Sequence, residues 1–124
     1  MVLGVGTDLL KISNLAPAVA DPADAFVRKT YTEAERALIL SRERPLMSYA
    51  TRFAGKEAVF KCLGADGDAV RLSEIEILER ETGQPAVTLH GAAAEIAAKK
   101  GIREVQISLS WDGEYALAFA VAIN

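Results

Sequence analysis

Cysteine occurs once in the 124 residues, at Cys62, which rules out an intrachain disulfide. Histidine also occurs once, at His90 beside Gly91, a place that suits a surface or locally bonded side chain better than chemistry. No stretch resembles a signal peptide or a membrane span, so a cytoplasmic protein without a membrane partner is expected. No excess of positive charge is present. A formal net charge of -3 and a pI near 5.2 argue against general nucleic-acid binding, although local basic clusters could still meet phosphates. Low-complexity segments and internal repeats are missing as well, so neither a disordered tail nor a solenoid is expected. What remains, 51% hydrophobic residues with a mean hydropathy of +0.16, suffices for the packed core of one domain over residues 1–124.

Turn signals divide the chain into a helical first half and a strand-rich second half, which predicts an α+β fold with an antiparallel sheet packed against helices. Asp21-Pro22 should begin a short helical stretch through Phe26. Thr32 with Glu35 forms a capping box for a helix running to about Arg42. Pro45 then opens a long helix that should end at Gly64, a natural left-handed cap, and Ala65 to Asp68 forms a loop. Ile75 and Ile77 alternate with Glu74 and Glu76, and Gly83-Gln84-Pro85 turns the chain into Val87 and Leu89 as an antiparallel pair. Ala92 to Lys100 reads as an alanine-rich covering helix. Val105, Ile107 and Leu109 pair through Asp112-Gly113 with a last strand from Tyr115 to Ile123. On that strand Ala116, Ala118, Ala120 and Ala122 form a face small enough for a helix or a neighbouring subunit to approach closely.

Two places carry chemistry. At about 100° per residue, Phe53, Glu57, Phe60, Lys61 and Gly64 share one side of the long helix, where an ordinary amphipathic helix would segregate charge from aromatic surface. Glu57 and Lys61 read either as a solvated i,i+4 pair worth a few tenths of a kcal/mol or as part of a ligand site. Gly4 and Gly6 share a strand face with Asp8, a face of bare backbone that leads to one carboxylate at a strand end and would let a ligand approach. Cys62 lies roughly opposite Glu57 on the helix and reads as core. Arg52 and Lys56 lie off the Glu57 face, where they either contact a phosphate from another side or pair with acids.

Gly4-x-Gly6-x-Asp8 near the first methionine, followed by Arg52-Phe53-Ala54-x-Lys56-Glu57-Ala58-x-x-Lys61, resembles the holo-acyl-carrier-protein synthase family of phosphopantetheinyl transferases. Thr32-x-x-Glu35, the stretch from Glu74 to Pro85, and Ser108-Leu109-Ser110 before Tyr115-Ala116 extend the resemblance over nearly the whole chain. It implies the 4'-phosphopantetheinyl transferase fold and transfer of 4'-phosphopantetheine from coenzyme A to a serine hydroxyl of a carrier, with adenosine 3',5'-bisphosphate released. The resemblance assigns magnesium ligation to Asp8 and Glu57, and a phosphate contact to Lys61. Two protein carboxylates suit magnesium, which keeps several waters and takes the remaining oxygens from substrate phosphates. Glu57 is the candidate base, directly or through a bound water, and with Lys61 it forms the catalytic pair. Glu35 is a weaker base candidate whose capping role already accounts for it. Arg52, Lys56, Lys61, Ser110 and Trp111 are the cofactor-binding candidates. The family is similar to homotrimers with active sites between neighbouring subunits.

Two departures from the family pattern stand out. Trp111 occupies the place of an expected histidine; an indole stacks on adenine and donates one hydrogen bond, but it cannot shuttle a proton. The stretch from Asn14 to Asp24 lacks the basic residues that would steer an acidic acyl carrier protein, leaving Arg28, Lys29 and an apolar Phe26. The partner could then be a carrier domain embedded in a fatty-acid or polyketide synthase, where tethering replaces steering. Trp111 also motivates an alternative, a non-catalytic coenzyme A binding or assembly module. A small trimeric structural protein, with Asp8, Glu57 and Lys61 as a salt-bridge network only, is the third reading.

Overall fold

Alternation of small and large residues decides how this chain packs. The computed structural model describes residues 1–124, and strand β1 (Val2–Lys11), strand β4 (Glu104–Asp112) and strand β5 (Tyr115–Ile123) form an antiparallel sheet in the order β1-β5-β4. Pairing sets four inner rows across it: Gly4, Ala122 and Val105; Gly6, Ala120 and Ile107; Asp8, Ala118 and Leu109; Leu10, Ala116 and Trp111. The four alanines are completely buried. Helix α4 (Pro45–Leu63) covers them, and a Cβ added at Gly4 or Gly6 would run into the carbonyl oxygens of Cys62 or Ala58. The helix therefore lies on the sheet almost backbone to backbone, closer than ordinary side chains permit.

This packing corrects one expectation and decides another. The glycine face of β1 receives a helix and not a ligand, and of the helix or neighbouring subunit expected on the alanine face of β5 it is the same helix that closes it. The surface left open is the outer one, where Val5, Leu9, Tyr115, Leu117 and Phe119 are exposed. Asp8 also differs from expectation. It lies within β1, paired with Ala118, because the strand continues to Lys11.

The second sheet is a hairpin of β2 (Ile75–Glu79) and β3 (Pro85–Leu89), packed on the other flank of α4. Gly55 marks the junction, since a Cβ there would press on Ile77, Leu109 and Ile107 together. The α4 termini are as anticipated: Pro45 occupies the first turn, and Gly64 caps the end at φ 64. Helix α1 (Ile12–Leu15) and a 3-10 turn over Ala16–Val19 lead to helix α2 (Ala25–Thr30). That helix begins later than Asp21, because Asp24 is the residue in extended conformation that accepts from the Phe26 amide, at 2.8 Å. Helix α3 (Glu33–Leu40) carries the expected capping box, and α5 (Gly91–Lys99) packs against the turn at 72–74 and against α4. The sequence expectation of an α+β fold holds, and no helix is long and apolar enough to cross a membrane.

Candidate active site

Helix α4 is buried along most of its length; its open arc is Phe53, Glu57, Phe60 and Lys61. Aromatic and charged groups share that arc because the rest of the helix is enclosed, by the glycine and alanine rows on one side and by the hairpin on another. Where the arc meets β1, the Lys61 ammonium donates to the Thr7 carbonyl at 2.9 Å and to Asp8 Oδ1 at 3.3 Å. Glu57 lies within electrostatic range of both. Burial raises its carboxyl above the ordinary range, the Asp8 charge raises it further, and Lys61 opposes them. A cleft of about 280 Å³ opens beside Glu57, lined by Phe60, Gly67, Val70 and Leu72.

Lys61 therefore meets Asp8, with Glu57 within electrostatic range of both, although β1 and α4 are far apart in sequence. No third histidine, cysteine or carboxylate joins them as a metal-binding group. Two carboxylates that repel one another, one of them lining an open cleft, nevertheless suit magnesium, which draws its remaining ligands from water and substrate phosphate. The residues present fit the ion.

The assignment of Lys56 to cofactor binding needs correction. Lys56 is fully buried, and its ammonium donates to Glu35 Oε1 at 2.7 Å, Leu72 O at 2.9 Å and Ile75 O at 2.6 Å. Three donors and three acceptors leave nothing for a phosphate. Burial pulls that ammonium below its usual range, and the neighbouring carboxylate of Glu35 opposes the shift. Arg52 is likewise enclosed, donating from Nε to Ile77 O at 3.2 Å and pairing with Glu79 at 3.5 Å. Both cations pair with acids, but only Lys56 has every donor used; Arg52 keeps one terminal nitrogen without a protein partner. Glu35 is also completely buried, so it has no access to a substrate proton.

Ser110 and Trp111 separate as neighbours on a strand must. Trp111 stands on the inner face one row beyond Asp8, 46% exposed, whereas Ser110 faces outward beside Leu117. One ligand on the Trp111 face does not reach both side chains of the same chain. His90 is a surface residue, with Nε2 3.2 Å from Glu76 Oε1. Cys62 is buried against β1.

Sequence reasoning missed two features. Arg71 and Ser73 join Arg28 and Lys29 around a cleft of about 560 Å³, and none of those three cations has a salt-bridge partner. On the same short helix as Arg28 and Lys29, Phe26 packs its ring against that of Phe53 with centroids 6.1 Å apart, linking α2 to the open arc of α4. The second feature is the far wall of the Glu57 cleft, residues 67–72, whose loop composition carries no sign of a site.

A family profile described as the 4'-phosphopantetheinyl transferase superfamily matches residues 4–120. A holo-[acyl-carrier-protein] synthase of Desulforudis audaxviator is 39% identical over 124 residues, which are the whole of this chain and 95% of that protein. The fatty acid synthase subunit alpha of Schizosaccharomyces pombe is 37% identical over 120 residues, 95% of this chain but 6% of that polypeptide. Among solved structures, a holo-[acyl-carrier-protein] synthase from Neisseria meningitidis superposes with a TM-score of 0.88 at 29% identity, covering all of both chains. The Helicobacter pylori synthase in complex with coenzyme A gives 0.82 at 25% identity, covering 96% of this chain and 99% of that one.

Proposed function

The chain belongs to the 4'-phosphopantetheinyl transferase superfamily and is an enzyme of the holo-[acyl-carrier-protein] synthase type, and from that premise we propose that Asp8, Glu57 and Lys61 form its catalytic centre. The observation that carries this reading is their convergence: a carboxylate on β1 meets a carboxylate and an ammonium on one turn of α4, beside an open cleft. In the reaction a carrier serine Oγ attacks the phosphorus that bears pantetheine. A new P–O bond forms, and the bond to the bridging pyrophosphate oxygen breaks. Adenosine 3',5'-bisphosphate leaves with the electron pair.

Magnesium held by Asp8 and Glu57 would supply Lewis acidity at the pyrophosphate oxygens. The chain's own residues do the rest. Glu57, with its proton affinity raised by burial, accepts the seryl proton directly or through a water. Lys61 turns from Asp8 toward the charge that develops on the leaving phosphate. Trp111 offers an exposed indole on the same sheet face, suited to stacking on a base.

Carrier recognition is assigned to the Arg28, Lys29 and Arg71 cleft with the Phe26–Phe53 pair, which together offer positive charge and an apolar anchor next to the open arc. The match to a segment of a fatty acid synthase subunit supports a carrier domain within a synthase as acceptor, alongside a free acyl carrier protein. Homotrimeric assembly is part of the proposal and now rests on the outer sheet face with Leu9, Leu117 and Phe119. Cytoplasmic action follows the substrate pair. Incubation with magnesium, coenzyme A and a set of apo carriers, followed by intact mass, tests the function. One phosphopantetheine gained by a carrier supports it; coenzyme A binding with no carrier modified would favour the assembly-module alternative.

A further inference from the structure

The Glu35–Lys56 pair has no place in the chemistry, yet it is the most enclosed charge pair in the molecule, with both side chains at zero exposure and 2.7 Å apart. Every polar atom it has is used. Besides Lys56, Glu35 accepts from the Thr32 amide at 2.9 Å through Oε1 and from the Ile77 amide at 2.8 Å through Oε2. Lys56 in turn reaches the carbonyls of Leu72 and Ile75. Four segments thus meet at one ion pair: the start of α3, the middle of α4, the turn at 72–74 and the start of β2.

Two of those attachments bear on the site. Lys56 directly precedes Glu57, and consecutive helical residues diverge by about 100°, so Lys56 points into the body while Glu57 faces the cleft. Leu72, whose carbonyl Lys56 holds, forms the opposite wall of that cleft with Val70 and Gly67. Residues 65–73 otherwise make local backbone hydrogen bonds, such as Ala69 N to Asp66 O; their hydrogen bond to α4 comes from Lys56. We propose that Glu35 and Lys56 are positioning residues: the buried pair sets the spacing between Glu57 and the 67–72 wall, and so the width of the cleft that receives the phosphopantetheine end of coenzyme A. This rests on the functional reading above. The pair also contributes to stability, since it satisfies the Thr32 and Ile77 amides and the Leu72 and Ile75 carbonyls, so its positioning role is read from kinetics and not from stability.

The test replaces both members, Glu35→Leu with Lys56→Met, and measures thermal midpoint, carrier KM, coenzyme A KM and kcat. The expected result is a folded protein with a lowered midpoint, because four backbone groups lose their partners, and an unchanged carrier KM, with a coenzyme A KM raised at least about tenfold and a smaller change in kcat, as for lost ground-state positioning. A folded double variant with parental coenzyme A kinetics would overturn the proposal. If the variant does not fold, the wild type decides by NMR relaxation: 70–73 should be as rigid as the strands, with order parameters near 0.85, and values below about 0.6 there would overturn it. A parent that modifies no carrier would instead refute the transferase reading, so the two failures are distinguishable.

Discussion

Glu57 has a carboxyl pushed above its ordinary range by burial and by Asp8, and this makes a prediction opposite in sign for stability and for activity. A raised folded-state value means the stabilising contribution is fully present below the unfolded value, near 4.5, and is lost as pH rises through the folded one. Above that window the charged carboxylate burdens the fold. Glu57→Gln should therefore be more stable than the parent at pH 7 without metal, with the difference shrinking toward pH 4. Its transfer rate should fall at least about a hundredfold, the scale for losing a preorganised electrostatic contact. Urea titrations at both pH values and a transfer assay check the pair of outcomes; a variant less stable at pH 7 would remove the burial argument. Trp111 offers the complementary case. Because it is 46% exposed, Trp111→Ala should leave the thermal midpoint near the parent's, whereas coenzyme A binding should weaken by about 1–3 kcal/mol if the indole stacks on the base. Calorimetric titration with unchanged affinity would reduce Trp111 to hairpin surface.

Among the elements, the contact between β1 and α4 positions the site, and it depends on missing side chains. Gly6→Ala places a methyl against the Ala58 carbonyl, so the helix must lift from the sheet that carries Asp8. The expected cost is about 1–3 kcal/mol, the range for overpacking. Transfer should fall too, because Asp8 separates from Glu57 and Lys61. A thermal midpoint and a transfer rate both matching the parent's would contradict this. Element boundaries were legible where a local signal marks them: the Thr32–Glu35 box, Pro45, Gly64, and the alternation from Val105 to Ile123 each appear where their local chemistry puts them. What covers a face was not legible. The two-residue period places Gly4, Gly6 and Asp8 together, but it cannot say whether a ligand or a helix occupies the space, and the helix does. For the same reason the fate of Lys56 was hidden, since a lysine one position from Glu57 looks solvated until the hairpin encloses it with Glu35. Asp8, Glu57 and Lys61 were readable as a constellation through their family pattern, whereas Arg71 and the 67–72 wall belong to a loop whose neighbours only the tertiary fold supplies.

At the scale of the whole molecule, the outer sheet face is what a single copy leaves unsatisfied. Leu9, Leu117 and Phe119 are 65%, 44% and 48% exposed on adjacent strands, a contiguous apolar surface of the kind that marks an interface. Phe119→Glu should leave the core untouched, because Phe119 points away from α4, yet it should shift the protein from the proposed trimer to monomer in light scattering and abolish transfer if the site is completed between subunits. A fully active monomer would contradict the assembly proposal. The central claim, metal-assisted transfer at the Asp8–Glu57–Lys61 centre, is tested most directly by intact-mass measurement of an apo carrier after incubation with coenzyme A and metal-stripped enzyme, with and without added magnesium. One phosphopantetheine should be added only when magnesium is present, and Asp8→Asn and Glu57→Gln should add almost none; full transfer by the metal-stripped parent, or by either variant, would contradict a metal-assisted centre at these residues.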